Sequence, residues 1–227
     1  MNVLRGHWQL MLITVVVLAL WNTPVVVPLK ILIVFFHELS HAIAAWMTGG
    51  SVDSISLSPQ QGGLTVTRGG NVFLTMSAGY LGSLLIGVLV FLVAVRSHAD
   101  RVLMGVLGAV MLLVAALFIR EWFALAFTVG TGLVMLASAR YVPHEMNDLA
   151  LRVIGLTSMI YVPLDIFSDT IARSGIRSDA YMLAERFGGA TVIWGGLWLL
   201  ISLAVIGVCF RYGLGEGSNV GGETVPD

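Results

Sequence analysis

Leu29-Lys30-Ile31-Leu32-Ile33-Val34-Phe35-Phe36-His37-Glu38-Leu39-Ser40-His41-Ala42-Ile43-Ala44-Ala45-Trp46 is the stretch on which the reading turns. It is long and apolar enough to cross a hydrocarbon core, which takes about 20 residues as a helix. Yet it carries two imidazoles and a carboxylate within five positions. On a helix, His37 and His41 are one turn apart and share a face. At that spacing two imidazoles hold one zinc ion, with Zn–N near about 2.0–2.1 Å. Glu38, beside the first of them, is placed to take a proton from water activated by the metal. Ionisable groups at membrane depth cost roughly 2.5–3.5 kcal/mol for a central charge, and a metal offsets that cost. The plainer alternative is a chance match whose polar groups are satisfied between helices. The chain has only 5 His, two of them here, which favours the metal. Such a centre needs a third protein ligand and an open position.

The rest of the chain agrees with a membrane setting. Of 227 residues, 57% are hydrophobic and 11% charged, with mean hydropathy +0.92, against about 25% charged in soluble domains. A net charge of -1 gives no reason to expect a nucleic-acid partner. The single cysteine, Cys209, excludes an intrachain disulfide and a cysteine zinc cluster, and reads as a small apolar helix residue. Trp8–Val27 is too long for a signal-peptide core and reads as a retained membrane helix. Pro24 and Pro28 break or kink the path before the quoted segment. Further apolar spans are Val72–Val95, Val102–Ile119, Trp122–Ala139, Leu149–Ile171 and Val192–Phe210. The fold expected is an all-α polytopic bundle of six or seven transmembrane helices. Arg and Lys are spread over both sets of loops, so orientation is not specified.

Two stretches do not read as helix. Between Gly49-Gly50 and Gly69-Gly70 the chain alternates polar and apolar residues, which predicts a Gly-rich β-hairpin over 51–70, just after the motif helix. It serves either as a connector or as an exposed edge that takes up an unwound substrate strand. From Gly213 onward the composition predicts a flexible tail, so 1–212 reads as one polytopic domain and 213–227 as its tail.

For the third ligand the apolar segments offer Asp165 and Asp169, four apart and so on one helical face. Asp165 lies deeper, between Leu164 and Ile166. Asp169 is nearer the loop and has Arg173 four residues on as a cheaper partner. His144 and Glu145 fall in a stretch, Tyr141–Asp148, that reads as a solvated loop, and His7 and His98 sit at segment ends, where an interfacial role is the simplest account. Gly79 and Gly82 read as small residues that bring the third span against the motif helix.

Taken in order, His37-Glu38-Leu39-Ser40-His41-Ala42, Thr48-Gly49-Gly50, Gln61-Gly62-Gly63-Leu64-Thr65, Ala78-Gly79-Tyr80-Leu81-Gly82, Asp165-Ile166-Phe167-Ser168-Asp169 and Ser178-Asp179-Ala180 resemble the M50 intramembrane zinc metallopeptidases, the site-2-protease-like class, in its divergent M50B-like branch. The resemblance spans roughly residues 30 to 200. It implies Zn2+ as cofactor, His37 and His41 as ligands, Glu38 as the catalytic base and Asp165 as the carboxylate ligand, with Asp169 as the alternative. Classical members carry Asn-Pro and Asp-Gly around that ligand. Here Pro163 precedes Asp165 and Ile166 follows it.

The function expected is an intramembrane zinc endopeptidase in the bilayer, acting on a membrane-protein substrate, with the cell membrane as its location. Two other classes compete. A non-proteolytic scaffold that binds metal or partners has no need of Glu38. A transporter is suggested by intramembrane His and Asp, but the sequence shows neither an inverted repeat nor paired broken helices.

Overall fold

A computed structural model of the protein describes residues 3–214, 218 and 219. Eight α-helices and one hairpin follow in the order α1 (Val3–Ala19), α2 (Val27–Met47), β1 (Ser51–Leu57), β2 (Gly63–Arg68), α3 (Val72–Arg96), α4 (Asp100–Phe118), α5 (Trp122–Tyr141), α6 (His144–Ile166), α7 (Asp179–Phe187) and α8 (Thr191–Gly213). A π-helical turn, Phe167–Ala172, continues α6. Among the described residues six helices are long and apolar enough to cross a membrane: α2, α3, α4, α5, α6 with its π turn, and α8. The predicted helical bundle with a hairpin is therefore the observed one.

The first expected span is shorter than its apolar run. The helix ends at Ala19, leaving an apolar piece over Gly6–Ala19, about 20 Å at 1.5 Å per residue. Turns then carry the chain to Val27. Pro28 lies in the first turn of α2, where its missing N–H breaks no helical bond. The stretch over Tyr141–Asp148, expected as a loop, is mostly helix: α5 runs to Tyr141, and Pro143 is the N-cap of α6, which begins at His144. His144 Nε2 lies 2.9 Å from the fully buried Asp100 carboxylate, so the tip of α6 is tied to the start of α4. Pro163 does not end α6. The helix runs through it and widens into the π turn.

Spans α2, α3 and α6 are the most buried, and α4, α5 and α8 the most outward-facing. Glycines set the close contacts: a Cβ on Gly155 of α6 would overlap the Gly87 carbonyl and Phe91 of α3. Such small-residue contacts let membrane helices approach where water supplies no driving force. At the end of α6 far from the motif, Arg152 bonds Asp148 (2.5 Å) and the Ala94 carbonyl (3.3 Å). It also reaches the Ser218 carbonyl. The tail expected from Gly213 lies mostly outside the described residues. Within them, Gly213 closes α8, and Ser218 donates to the Gly6 carbonyl (2.9 Å) and meets His7 Nδ1 (2.7 Å). His7 is thus buried against this segment.

The hairpin is antiparallel, with Ser51 opposite Arg68, Leu57 opposite Gly63, and an irregularity between Val52 and Ser54. Ile55 and Leu57 point into the bundle and are buried. That anchors β1 and leaves β2 beside the motif helix.

Candidate metal centre

Helix α2 puts His37 and His41 on the face that meets α3. Contact is this close because Gly79 stands opposite them. A Cβ there would overlap the Nε2 atoms of both imidazoles, and one on Gly82 would overlap Ser40. His41 Nδ1 lies 2.7 Å from the Thr75 carbonyl oxygen. A carbonyl only accepts, so Nδ1 carries the proton and Nε2 keeps its lone pair for the cleft. The His37 ring stands edge-on to Tyr80, with centroids 4.6 Å apart.

The carboxylate that meets these imidazoles comes from Asp179. Its Oδ2 lies 3.0 Å from His37 Nε2 and 3.2 Å from His41 Nε2. Among the described residues His37, His41 and Asp179 are the one group with metal-ligand atoms within 4.8 Å of one another. Asp179 is the first residue of α7, and the preceding Ser178 caps that helix by accepting from the Tyr181 N–H at 3.3 Å. A helix N-terminus favours a carboxylate. Burial alone would raise the Asp179 carboxyl, but in the metal-free site protonated His41 and His37, donating from Nε2, outweigh it and hold it below the usual carboxylate range; a bound metal would take the place of those Nε2 protons.

The donor set fits a zinc ion. Bonds of about 2.0–2.1 Å in a tetrahedron put neighbouring ligand atoms about 3.3 Å apart. The shared oxygen stands 3.0 and 3.2 Å from the two nitrogens, close to that spacing, and all three atoms lie within 4.8 Å of one another.

Asp165, the expected carboxylate ligand, is not in this group. It lines the same cavity further along α6. Asp169, the alternative, is engaged elsewhere: it accepts from Arg173 at 2.6 Å and from the Tyr80 hydroxyl at 3.2 Å. The pairing with Arg173 is the one its spacing predicts.

Glu38 is buried beneath the hairpin. The Thr65 hydroxyl lies 2.7 Å from Glu38 Oε2 and 3.0 Å from the Glu38 carbonyl oxygen, and donates to one at a time. Gly63 is required at the start of β2, because a Cβ there would overlap the Glu38 carboxylate. The two glycines therefore make room for different parts of the centre, Gly79 for the imidazoles and Gly63 for the acid. A cavity of about 360 Å³ opens here, lined by residues 60–65 of the hairpin and by residues 176–179 and Met182.

Gly79→Ala tests the fit of α3 on the centre. The added methyl forces both imidazoles aside, so metal affinity falls by about 10-fold to 100-fold, the range for lost ligand orientation. The helix itself gains slightly, since Ala is the better helix former. Metal retention and thermal stability measured on one sample separate the two effects. Unchanged retention would mean that the rings have room to turn.

The family described as Peptidase M50B-like matches residues 10–209. The chain belongs to this family. No curated protein and no solved structure matches it. This Peptidase M50B-like chain, with six helices of membrane-crossing length among the described residues, is a multi-pass membrane protein of a metallopeptidase-type family.

Proposed function

We propose that the protein is an intramembrane zinc endopeptidase, with His37, His41 and Asp179 holding the ion and Glu38 as general base. The observation that carries this reading is the meeting of two imidazoles, a helix-tip carboxylate and a buried glutamate on one cavity. Zinc, when bound, acidifies water and polarises a peptide carbonyl. Glu38 takes the proton from the attacking water and passes it to the leaving nitrogen. Thr65 fixes the rotamer of Glu38 so that the remaining carboxylate lone pairs face the cleft. His41 is held in one tautomer by the Thr75 carbonyl.

The substrate class follows from the cleft. A transmembrane helix shields its peptide bonds with its own hydrogen bonds, so a segment must be unwound before attack. Within the hairpin β2 pairs with β1 alone, and its residues 63–65 line the cavity. Its outer edge offers backbone groups to an extended peptide by strand addition. The partner is thus a membrane protein presented in the bilayer, and the cell membrane is the proposed location.

Elemental analysis and a cleavage assay on protein reconstituted in lipid test this together. Close to one zinc per chain is expected, with cleavage of a model transmembrane substrate lost on chelation and regained on adding zinc. Cleavage that persists in zinc-free protein would sink the reading.

A further inference from the structure

Lys30 lies seven residues before His37 on α2, close to the same face. It is 8% exposed, on a membrane-spanning helix. Among the described residues its ammonium makes no ion pair and no hydrogen bond. What it meets is the face of Trp21, 4.4 Å from the ring centroid. The Trp21 face offers it a cation–π contact but no oxygen acceptor, so its donors are open to an anion that enters. It borders a second pocket, about 240 Å³, that shares Gln60, Gln61, Asp165 and Arg173 with the metal cavity. Gln61 is held there with φ 65°, the one positive value outside glycine among the described residues. That conformation belongs to the hairpin turn, in which the Gln61 N–H donates to the Ser58 carbonyl at 3.1 Å, and the turn fixes where Gln60 and Gln61 stand along the pocket. Of the charged groups lining the pocket, Arg173 is engaged by Asp169 at 2.6 Å, and Asp165 lies beyond ion-pair distance of Lys30. Lys30 is left as the free positive charge.

We propose that this pocket is a carboxylate subsite, in which Lys30 and the Gln60 and Gln61 amides read an Asp or Glu side chain of the substrate. The inference rests on the peptidase reading and adds a specificity to it. Seven helical residues span about 10 Å. An extended peptide covers that distance in about three residues, at about 3.3 Å each. The acidic residue therefore stands about three positions from the cleaved bond, on one side of it. A peptide is favoured over a lipid headgroup because the pocket opens into the metal cavity and is walled by the hairpin turn.

The test uses the full chain in lipid nanodiscs and a pool of randomised membrane-segment peptides. Peptides captured by Glu38→Gln protein are sequenced by mass spectrometry. Asp and Glu should be enriched about 10-fold at one position, the scale of a charge-assisted hydrogen bond. Enrichment should vanish when Lys30→Gln is added, persist with Lys30→Arg, and turn to Lys and Arg with Lys30→Glu. The wild type, cutting the same pool, should place that acid about three residues from the cut. Equal enrichment with and without Lys30→Gln, or no enrichment at all, overturns the subsite. So does Lys30-dependent retention of phosphatidylglycerol with unchanged peptide capture, which would assign the pocket to a headgroup. Lys30-dependent capture without any cleavage by the wild type would leave the subsite standing and remove the peptidase reading instead.

Discussion

Asp179→Ala is expected to lower zinc affinity by more than about 100-fold, while Asp165→Asn stays within a few-fold of the wild type. Losing a residue that only orients a ligand costs about 10-fold to 100-fold, and losing a ligand should exceed that. The geometry sets the order. Asp179 Oδ2 is within 3.2 Å of both imidazoles, whereas Asp165 is outside the group of three. Zinc retention of both variants across a graded chelator series decides it. If Asp165→Asn gives up its metal first and Asp179→Ala holds it, the carboxylate ligand is on α6 and the contact with Asp179 is incidental.

Glu38→Gln is expected to keep zinc and to lose turnover by about 1,000-fold or more. General-base catalysis contributes about 100-fold to 10,000-fold, and here the same group also serves the departing nitrogen. Glutamine preserves the volume that Gly63 leaves free and still accepts from Thr65, so packing is retained. Its amide cannot take the proton from water. Single-turnover cleavage beside zinc content is the relevant pair of measurements. A variant with full zinc and near wild-type rate would place the base elsewhere in the cavity.

The membrane spans and the hairpin were legible because each leaves a local pattern. Apolar runs near 20 residues gave α2 to α6 and α8, and alternation between glycine pairs gave β1 and β2. The motif segment, expected over Leu29–Trp46, lies within a helix that runs over Val27–Met47, and its two imidazoles share a face because they are four apart. Expectation and structure part where hydropathy is silent about geometry. Trp8–Val27 is continuous in apolarity but not in helix, which stops at Ala19. His144 sits among polar residues but opens α6 against a buried Asp100.

Asp179, the carboxylate that meets the imidazoles in the structure, is hard to read from the sequence for a different reason. Depth and apolar neighbours single out Asp165, whereas Asp179 lies in a polar stretch beyond the π turn, where a charge needs no explanation. Its approach to α2 depends on the path taken by residues 173–178, a long-range matter with no periodic signature. Two signs are present: Ser178-Asp179 has the form of a helix start, and Ser178-Asp179-Ala180 is one of the stretches that carry the family resemblance. The first tells where α7 begins, and neither tells what the aspartate meets.

In the proposed site the ion's third attachment would be on a nine-residue helix outside the spans, too short to be stable by itself. Ala180 and Leu183 bury its apolar side, and Asp179 is the fastener. A bound zinc would therefore act as a clasp, closing one wall of the cleft onto the motif helix. By mass action a free metal level 100 times the dissociation constant adds about 2.7 kcal/mol to the fastened form. Metal scarcity would then unlatch α7 while the bundle in the bilayer stays folded. Hydrogen exchange along Asp179–Phe187, followed as zinc is withdrawn, would trace that release, and would make zinc supply a control on how long the cleft stays walled.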